Sequence, residues 1–366
     1  MSIVSTLHEL SPRQLSPRIL LTLQSGRVPF IHGSPGIGKS AVVKAVAERL
    51  NLKLIDHRMS TADSTDLSGL PRNSGEYAEY VPFEEFPVVG ADPGINPKTG
   101  QKYSGWLLFL DELNSAPKEV QAACYKLILD RMVGQKHLHP DVYMVAAGNL
   151  ATDRAIVNQL SSATRSRLVH YVCVVNRKEF YKDVVLGHNY NYRVAGFLGA
   201  YPDHIYAFDP NSEETTFPCP RTWEMMSDNW NALDESMEDI LPLLENNETI
   251  EDWMAPTSAG CVGSAVGEKF VQFSRVYKDL PTIEDIERDP RRAPVPGSSD
   301  ARFAAVTMLF MGVTVANLPK LSIYLQRIPD VEFEMMFYRQ VLTRHPEWRH
   351  EANVTDMLVR LATLES

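Results

Sequence analysis

Cysteine is scarce in this chain. Only four of 366 residues carry a thiol, Cys124, Cys173, Cys219 and Cys261. No two of them form a CxxC pair, which argues against a zinc site or a disulfide framework and for a reduced, cytoplasmic setting. Long apolar runs are lacking as well. The most hydrophobic stretch, Phe303 to Leu318, spans 16 residues and includes Thr, Gly and Asn. That is short of the roughly 20 needed to cross a bilayer, so it reads as a buried helix. The opening MSIVSTLHELSPR has neither the basic flank nor the apolar stretch of a signal peptide. Positive charge is in deficit: 36 Lys and Arg face 46 Asp and Glu, a net charge of −10. This works against unspecific attraction to nucleic acid or an anionic membrane, although a local basic groove stays open. No internal repeat and no long low-complexity tract is present.

What is there fits a folded protein of two or three domains with ample core. Apolar runs at Val28 to His32, Leu52 to Asp56, Leu107 to Leu110, Val142 to Ala147 and Leu168 to Val175 read as strands. Helical patterns separate several of them, at Ser40 to Leu50 and Pro117 to Met132, the latter with Val120, Cys124, Leu127 and Ile128 on one face. Strand and helix in repetition imply α/β architecture, a parallel sheet sandwiched by helices, up to about residue 175. Beyond it the strand signal fades. Glu179 to Leu198, Thr222 to Leu244 and Gly263 to Tyr277 read as helices. A stretch rich in Pro and charge, Leu280 to Asp300, leads to helices at Ala301 to Val315, Leu321 to Ile328, Val331 to Thr343 and Val354 to Leu364.

The segment Gly33-Ser-Pro-Gly-Ile-Gly-Lys39-Ser40 is GxxxxGK[ST] between a strand and a helix. Glycines let successive N–H groups turn inward on a phosphate chain, and the helix N-terminus adds partial positive charge. Lys39 then reaches the β- and γ-phosphates, and the Ser40 hydroxyl ligates Mg²⁺. Trp106-Leu-Leu-Phe-Leu-Asp111-Glu112 is an apolar strand ending in two acids, which a doubly wound sheet projects at its ligand-binding edge. Asp111 suits the metal and Glu112 the attacking water, though acids after a strand also simply start helices. Asn149, at the tip of Val145-Ala-Ala-Gly-Asn, suits the γ-phosphate or an ordinary turn. Arg165 and Arg167, in Leu160-Ser-Ser-Ala-Thr-Arg-Ser-Arg-Leu, are either solvated charges or, in a ring, a finger for the neighbour's site.

In this order, GSPGIGKS, LLFLDELNSAP, AAGN, LSSATRSRL and Phe217-Pro-Cys-Pro-Arg221-Thr-Trp resemble the AAA+ ATPases, specifically the MoxR-like branch that shares features with the midasin and dynein modules. The resemblance is firm from Gly33 to Trp223 and loose over the last ninety or so residues. It implies a P-loop NTPase core over 1–175 with an insert at about 66–105, a helical lid over 176–278 and a C-terminal helical extension over 279–366. It implies that Gly33, Ser34, Pro35, Gly36, Ile37, Gly38, Lys39, Ser40 and Ala41 cradle ATP. Ser40 and Asp111 hold Mg²⁺, Glu112 activates water and Asn149 is sensor one. Arg167, in Ser-Arg-Leu where relatives usually have Arg-Phe, is the first choice for a finger acting in trans, with Arg165 in reserve. Arg221 matches sensor two in the lid.

The resemblance also implies a homo-oligomeric ring, a hexamer, that remodels or activates a client protein, commonly one with a von Willebrand factor A domain. A nucleic-acid-acting motor or loader and a nucleotide-gated scaffold are the alternatives. The acidic balance weighs against the first and the intact Asp111-Glu112 pair against the second. The insert, entered through Asp66-Leu-Ser-Gly-Leu-Pro71 and long from Asn73 to Gly105, is expected to face a ring pore or a client. His137 and His139 share one strand face without a third ligand nearby, which favours a surface hairpin over a metal site. The aromatics Tyr190, Tyr192, Phe197, Tyr201, Tyr206 and Phe208 read as lid packing. Met225-Met226 and Met335-Met336 read as core filler.

Overall fold

The computed structural model describes residues 7–73, 75–153, 158, 160–188, 190–245, 248–351, 354–355 and 359. The chain divides into two units, Met1–Asn176 and Arg177–Ser366. Among the described residues, no helix is long and apolar enough to cross a membrane.

The first unit is built on a six-stranded sheet. Its strands and hairpins, in chain order, are β1 (Glu9–Leu10), β2 (Val28–His32), β3 (Leu52–Arg58), β4 (Leu70–Asn73), β5 (Ala78–Val81), β6 (Gly105–Asp111), β7 (Met132–Val133), β8 (Lys136–His137), β9 (Val142–Gly148) and β10 (Leu168–Cys173). The sheet order is β1-β10-β2-β9-β6-β3, and every neighbouring pair is parallel. Apolar runs rather than alternation are what such strands require, because helices cover both faces. Accordingly all seven residues of β6 are buried. The helices are α1 (Pro12–Gln24), α2 (Lys39–Arg49), α3 (Ser64–Ser68), α4 (Lys118–Asp130) and α5 (Ser162–Arg165). Val120, Cys124, Leu127 and Ile128 of α4 are buried in one cluster with Phe30, Leu108, Leu110 and Met144, the face that the periodicity predicts.

Parallel pairing puts the ends of β2, β9, β6 and β3 side by side on one edge. The strand ends stay stitched beyond the strands themselves: Gly33 N–H donates to the Gly148 carbonyl (3.2 Å) and Met59 N–H to that of Asp111 (2.8 Å). The insert carries a hairpin of its own, β4 against β5, which pairs Leu70 with Val81 and Asn73 with Ala78 and holds Leu70, Tyr77 and Tyr80 exposed. Gly69, at φ +83°, admits the hairpin, since a Cβ there would sit 2.3 Å from the Val81 carbonyl oxygen. His137 lies in the small antiparallel pair β7–β8, and no group of three metal-ligating side chains occurs among the described residues.

The second unit is helical, and it departs from the sequence reading in several places, among them a short helix, Ile283–Arg288, within the stretch rich in Pro and charge. The helix expected over Glu179 to Leu198 is broken: a π-helical turn, Phe180–Val185, ends before Gly187, and a new helix, Tyr192–Ala200, starts where the Asn191 side chain accepts from Arg193 N–H. Thr222 to Leu244 is likewise not one helix. Pro220–Glu235 stops at Ser236, and a short helix, Met237–Ile240, follows and passes into a 3₁₀ turn over Leu241–Leu243, where Pro242 has no N–H to donate. A helix not predicted at all, Ile250–Val262, carries a capping box between Thr249 and Asp252.

Helices Ser264–Ser274, Ile283–Arg288, Ser299–Met311, Leu318–Leu325 and Val331–Arg344 complete the unit. The expected helix Val354 to Leu364 lies mostly outside the described residues. Gly196 and Gly199 give Tyr192–Ala200 a face without side chains, against which the Tyr277 hydroxyl and the Phe303 ring rest; a Cβ at either glycine would collide with them. Helices before and after residue 278 therefore pack on one another. The aromatics Tyr190 and Phe197 are buried among them, and Arg193 is neutralised by Asp234 at 2.9 Å. Of the methionines taken as filler, Met226 is fully buried but Met225 is about half exposed.

Candidate functional site

The loop after β2 is forced into shape by its glycines. Gly36 and Gly38 have φ of +76° and +93°, values open to glycine at no steric cost. Gly33 meets a different demand, since a Cβ would lie 3.0 Å from the Cys173 carbonyl and closer still to Ile37. The loop runs directly into α2, whose first turn has no side-chain cap at Gly38. Such a turn leaves its leading N–H groups, at Lys39, Ser40 and Ala41, aimed outward with the positive end of the helix dipole behind them. Lys39 Nζ donates to the carbonyls of Gly33 (2.6 Å) and Ser34 (3.1 Å) and to Asn149 Oδ1 (3.1 Å). Its ammonium is thus drawn over the loop rather than out into solvent.

Beside it, Ser40 Oγ lies 3.4 Å from Asp111 Oδ2. A hydroxyl and a carboxylate at this separation are hard oxygen donors of the kind Mg²⁺ takes. Asp111 is buried, and its carboxyl is held above the ordinary range, first by burial, then by the nearby charges of Asp56 and Glu112. The Glu112 N–H (2.9 Å) and Lys39 pull it back down. Burial raises Asp56 as well. Two neighbouring carboxylates raised by burial make a place where a cation lowers the energy.

Glu112 sits at φ +56°, ψ +32°, the left-handed region that a residue with a long side chain occupies only when its surroundings insist. The turn throws its carboxylate toward the loop after β3, where Ser60 Oγ donates to Oε2. Asn149 is clamped from two sides: its N–H donates to Asn114 Oδ1 (3.1 Å) and its carbonyl accepts from Asn114 Nδ2 (2.8 Å). Gly148 is what lets Asn114 so close, because a Cβ there would stand 2.1 Å from Asn114 Oδ1.

Five of the predicted residues, Lys39, Ser40, Asp111, Glu112 and Asn149, therefore meet at the ends of β2, β6 and β9. The two arginines stand elsewhere in the same unit, Arg165 at the end of α5 and Arg167 in the turn between α5 and β10. Arg167 is exposed, its Nη1 donating to the Ala163 carbonyl (2.7 Å) and its guanidinium 5.1 Å from the centre of the Tyr125 ring. Arg165 is half-buried. Arg221 belongs to the second unit, exposed in the first turn of Pro220–Glu235. Ser60 and Asn114 were not among the predicted residues. The only trace of Ser60 in the sequence is a hydroxyl just past a strand, and Asn114 looks like any polar residue in a helix-start turn.

Residues 29–168 match the family model described as AAA domain (dynein-related subfamily). No curated protein matches the chain. Among solved structures it is similar to a point mutant of Thermotoga maritima RuvB, at 14% identity and a TM-score of 0.37 over 72% of this chain and 70% of that one. The Thermotoga maritima RuvB Holliday junction branch migration motor gives 14% and 0.36, over 74% and 71%. A Cytophaga hutchinsonii protein described as a candidate ATPase gives 11% and 0.33, over 98% and 90%. The fold itself rests on the sheet order and register. A parallel β1-β10-β2-β9-β6-β3 sheet and a glycine loop running into α2 agree with that match: residues 29–168 are similar to an AAA domain of the dynein-related subfamily.

Proposed function

We propose that this chain is a Mg²⁺-dependent ATPase of MoxR type, working as a ring of like subunits to remodel or activate a partner protein in the cytoplasm. The observation that carries the reading is the meeting of Lys39, Ser40, Asp111, Asn149 and Glu112 on one edge of a parallel sheet, beside a glycine loop shaped for phosphate. Within the Gly33–Ala41 loop, backbone N–H groups other than that of Gly33, which the Gly148 carbonyl takes, and Pro35, which has none, bind the phosphate chain, and Lys39 leaves its loop carbonyls for the β- and γ-phosphates. Ser40 and Asp111 hold Mg²⁺, which when bound neutralises charge on the phosphates. Asn149 and Glu112 position a water in line with the γ-phosphorus. As the water oxygen bonds to phosphorus, Glu112 accepts its proton, and the bond to the bridging oxygen breaks to release ADP and phosphate. Arg167 of an adjacent subunit supplies charge to the γ-phosphoryl group, worth on the order of 10³–10⁵ in rate, and Arg221 senses the γ-phosphate.

A protein client is favoured by the net charge of −10 and by the apolar side chains that β4–β5 holds in solvent. A client bearing a von Willebrand factor A domain follows from the resemblance to MoxR alone. All four cysteines are free, in keeping with a reduced compartment. Phosphate release by the purified chain with ATP and magnesium, followed against protein concentration, tests the reading. Turnover that rises steeply with concentration is expected, and none at any concentration refutes it.

A further inference from the structure

His32 is the last residue of β2, immediately before the phosphate loop, and His170 lies on the adjoining strand β10, in register with Phe30. The two imidazole planes are inclined by only 25°, with centroids 5.2 Å apart. His32 Nε2 lies 2.9 Å from His170 Nδ1, and His170 Nε2 lies 2.9 Å from the carbonyl oxygen of Arg165. A carbonyl only accepts, so His170 Nε2 carries the hydrogen and donates it. In a neutral ring that leaves Nδ1 as acceptor, and His32 Nε2–H donates into it. One tautomer of each ring satisfies the whole chain, whereas a second proton on His170 would set two donors against each other. Burial first, then His170 and Lys39, push His32 down to about 4, which keeps the His32 ring neutral.

The far end of this chain is the turn that bears both candidate fingers. Arg165 N–H donates to the Ser161 carbonyl, Ser166 N–H to that of Ser162 and Arg167 N–H to that of Thr164, all within 3.0–3.1 Å. The turn therefore moves as a piece, and displacing the Arg165 carbonyl displaces Arg167. Strand register alone does not call for such a pair. β2 and β10 are already joined by their backbone ladder from Val28↔Leu168 to His32↔Val172, and two apolar side chains would fill the same space without fixed tautomers.

We infer that His32 and His170 are positioning residues that link the phosphate loop to the Arg165–Arg167 turn, so that a subunit's own nucleotide contacts set how its arginine reaches the neighbouring site. The inference rests on the trans role proposed for Arg167. A shift of the loop at Gly33 pulls on His32, and two hydrogen bonds deliver that shift to the turn. The chain is contiguous and short, and each ring has one arrangement that satisfies it, as coupling between sites requires.

Mixed populations test this. Arg167→Ala subunits keep a working site without a finger; Glu112→Gln subunits keep a finger without the base. Together they should recover part of the wild-type phosphate release. His170→Phe is then added to one population at a time. In the Glu112→Gln subunits it should lower the recovered kcat by about tenfold or more, the scale of a small misplacement of a charged group, with KM for ATP little changed. In the Arg167→Ala subunits it should cost far less, because they have no finger to aim. Equal losses in both placements, loss only in the second, or loss in neither overturns the inference and leaves the trans arginine standing. A mixture that recovers nothing before His170 is touched removes the trans arginine, and this inference with it. Should His170→Phe subunits not fold, His32→Phe breaks the same chain from its other end, and His32→Gln, which keeps an N–H donor, should restore most of what His32→Phe loses.

Discussion

Ser60 Oγ donates its hydrogen to Oε2 of Glu112, joining the loop after β3 to the acid at the end of β6. A single donor on one carboxylate oxygen orients the group and leaves Oε1 to take a water. Ser60→Ala should therefore lower kcat by roughly tenfold or less, a fraction of what a well-placed base contributes, and leave KM for ATP nearly unchanged. Ser60→Thr should keep most of the activity. Steady-state kinetics on the two variants decide it: equal loss in both would show that packing, rather than the hydroxyl, matters at this position.

Asp111 is kept above the ordinary carboxyl range chiefly by burial. The folded state then binds more protons than the unfolded one between the ordinary value of 3.8 and the raised folded value. Stability conferred by the neutral form falls as pH rises through that window, so the ionised carboxylate opposes folding at neutral pH. Asp111→Asn should accordingly melt no lower than wild type without metal or nucleotide, while losing phosphate release. Adding ATP with magnesium should raise the melting temperature of wild type well above that of the variant. A variant that melts markedly lower in the absence of both would contradict this reading of Asp111.

His32 gives the opposite sign. Its ordinary value of 6.5 is lowered to about 4 in the fold, by burial first and then by His170 and Lys39. The unfolded chain binds the extra proton between these values, so stability is present above pH 6.5 and lost as pH falls toward 4. The loss attributable to this ring is at most roughly 3 kcal/mol. Denaturation at a series of pH values should show a shallower slope in that window for His32→Gln than for wild type, and identical slopes would refute the assignment.

Gly148 stands where Asn114 must pass to clamp Asn149. Gly148→Ala would force Asn114 or the Phe30 ring aside, which should cost roughly 1–3 kcal/mol of stability, the usual penalty for overpacking. It should also loosen Asn149, the side chain that accepts from Lys39, so hydrolysis should fall more than nucleotide binding does. Thermal melts and ATP affinity measured on the same preparation separate these effects.

Much of this was legible in the sequence, for reasons particular elements make plain. β2, β6 and β9 are buried on both faces and had to be written as apolar runs, and the glycine loop had to be stripped of side chains, so both stand out. Helix α1 hides behind Pro12 and Pro17, although Ser11 and Gln14 spell its capping box. Ile250–Val262 hides in the same way behind Pro256. Ser60, Asn114 and the His32–His170 pair were beyond reach for another reason: each acts on a residue 35 to 138 positions away, and only the strand order of the folded sheet brings such partners together.

The grip of the Gly33–Ala41 loop on a triphosphate is tested most directly by equilibrium binding of ATP, with magnesium, to Glu112→Gln and to Glu112→Gln combined with Lys39→Ala. The first protein is expected to retain ATP unhydrolysed, and the second to bind it weaker by about two orders of magnitude or more, as befits the loss of a charged donor from a phosphate site. Equal affinity in the two proteins would contradict the phosphate-binding role of the loop.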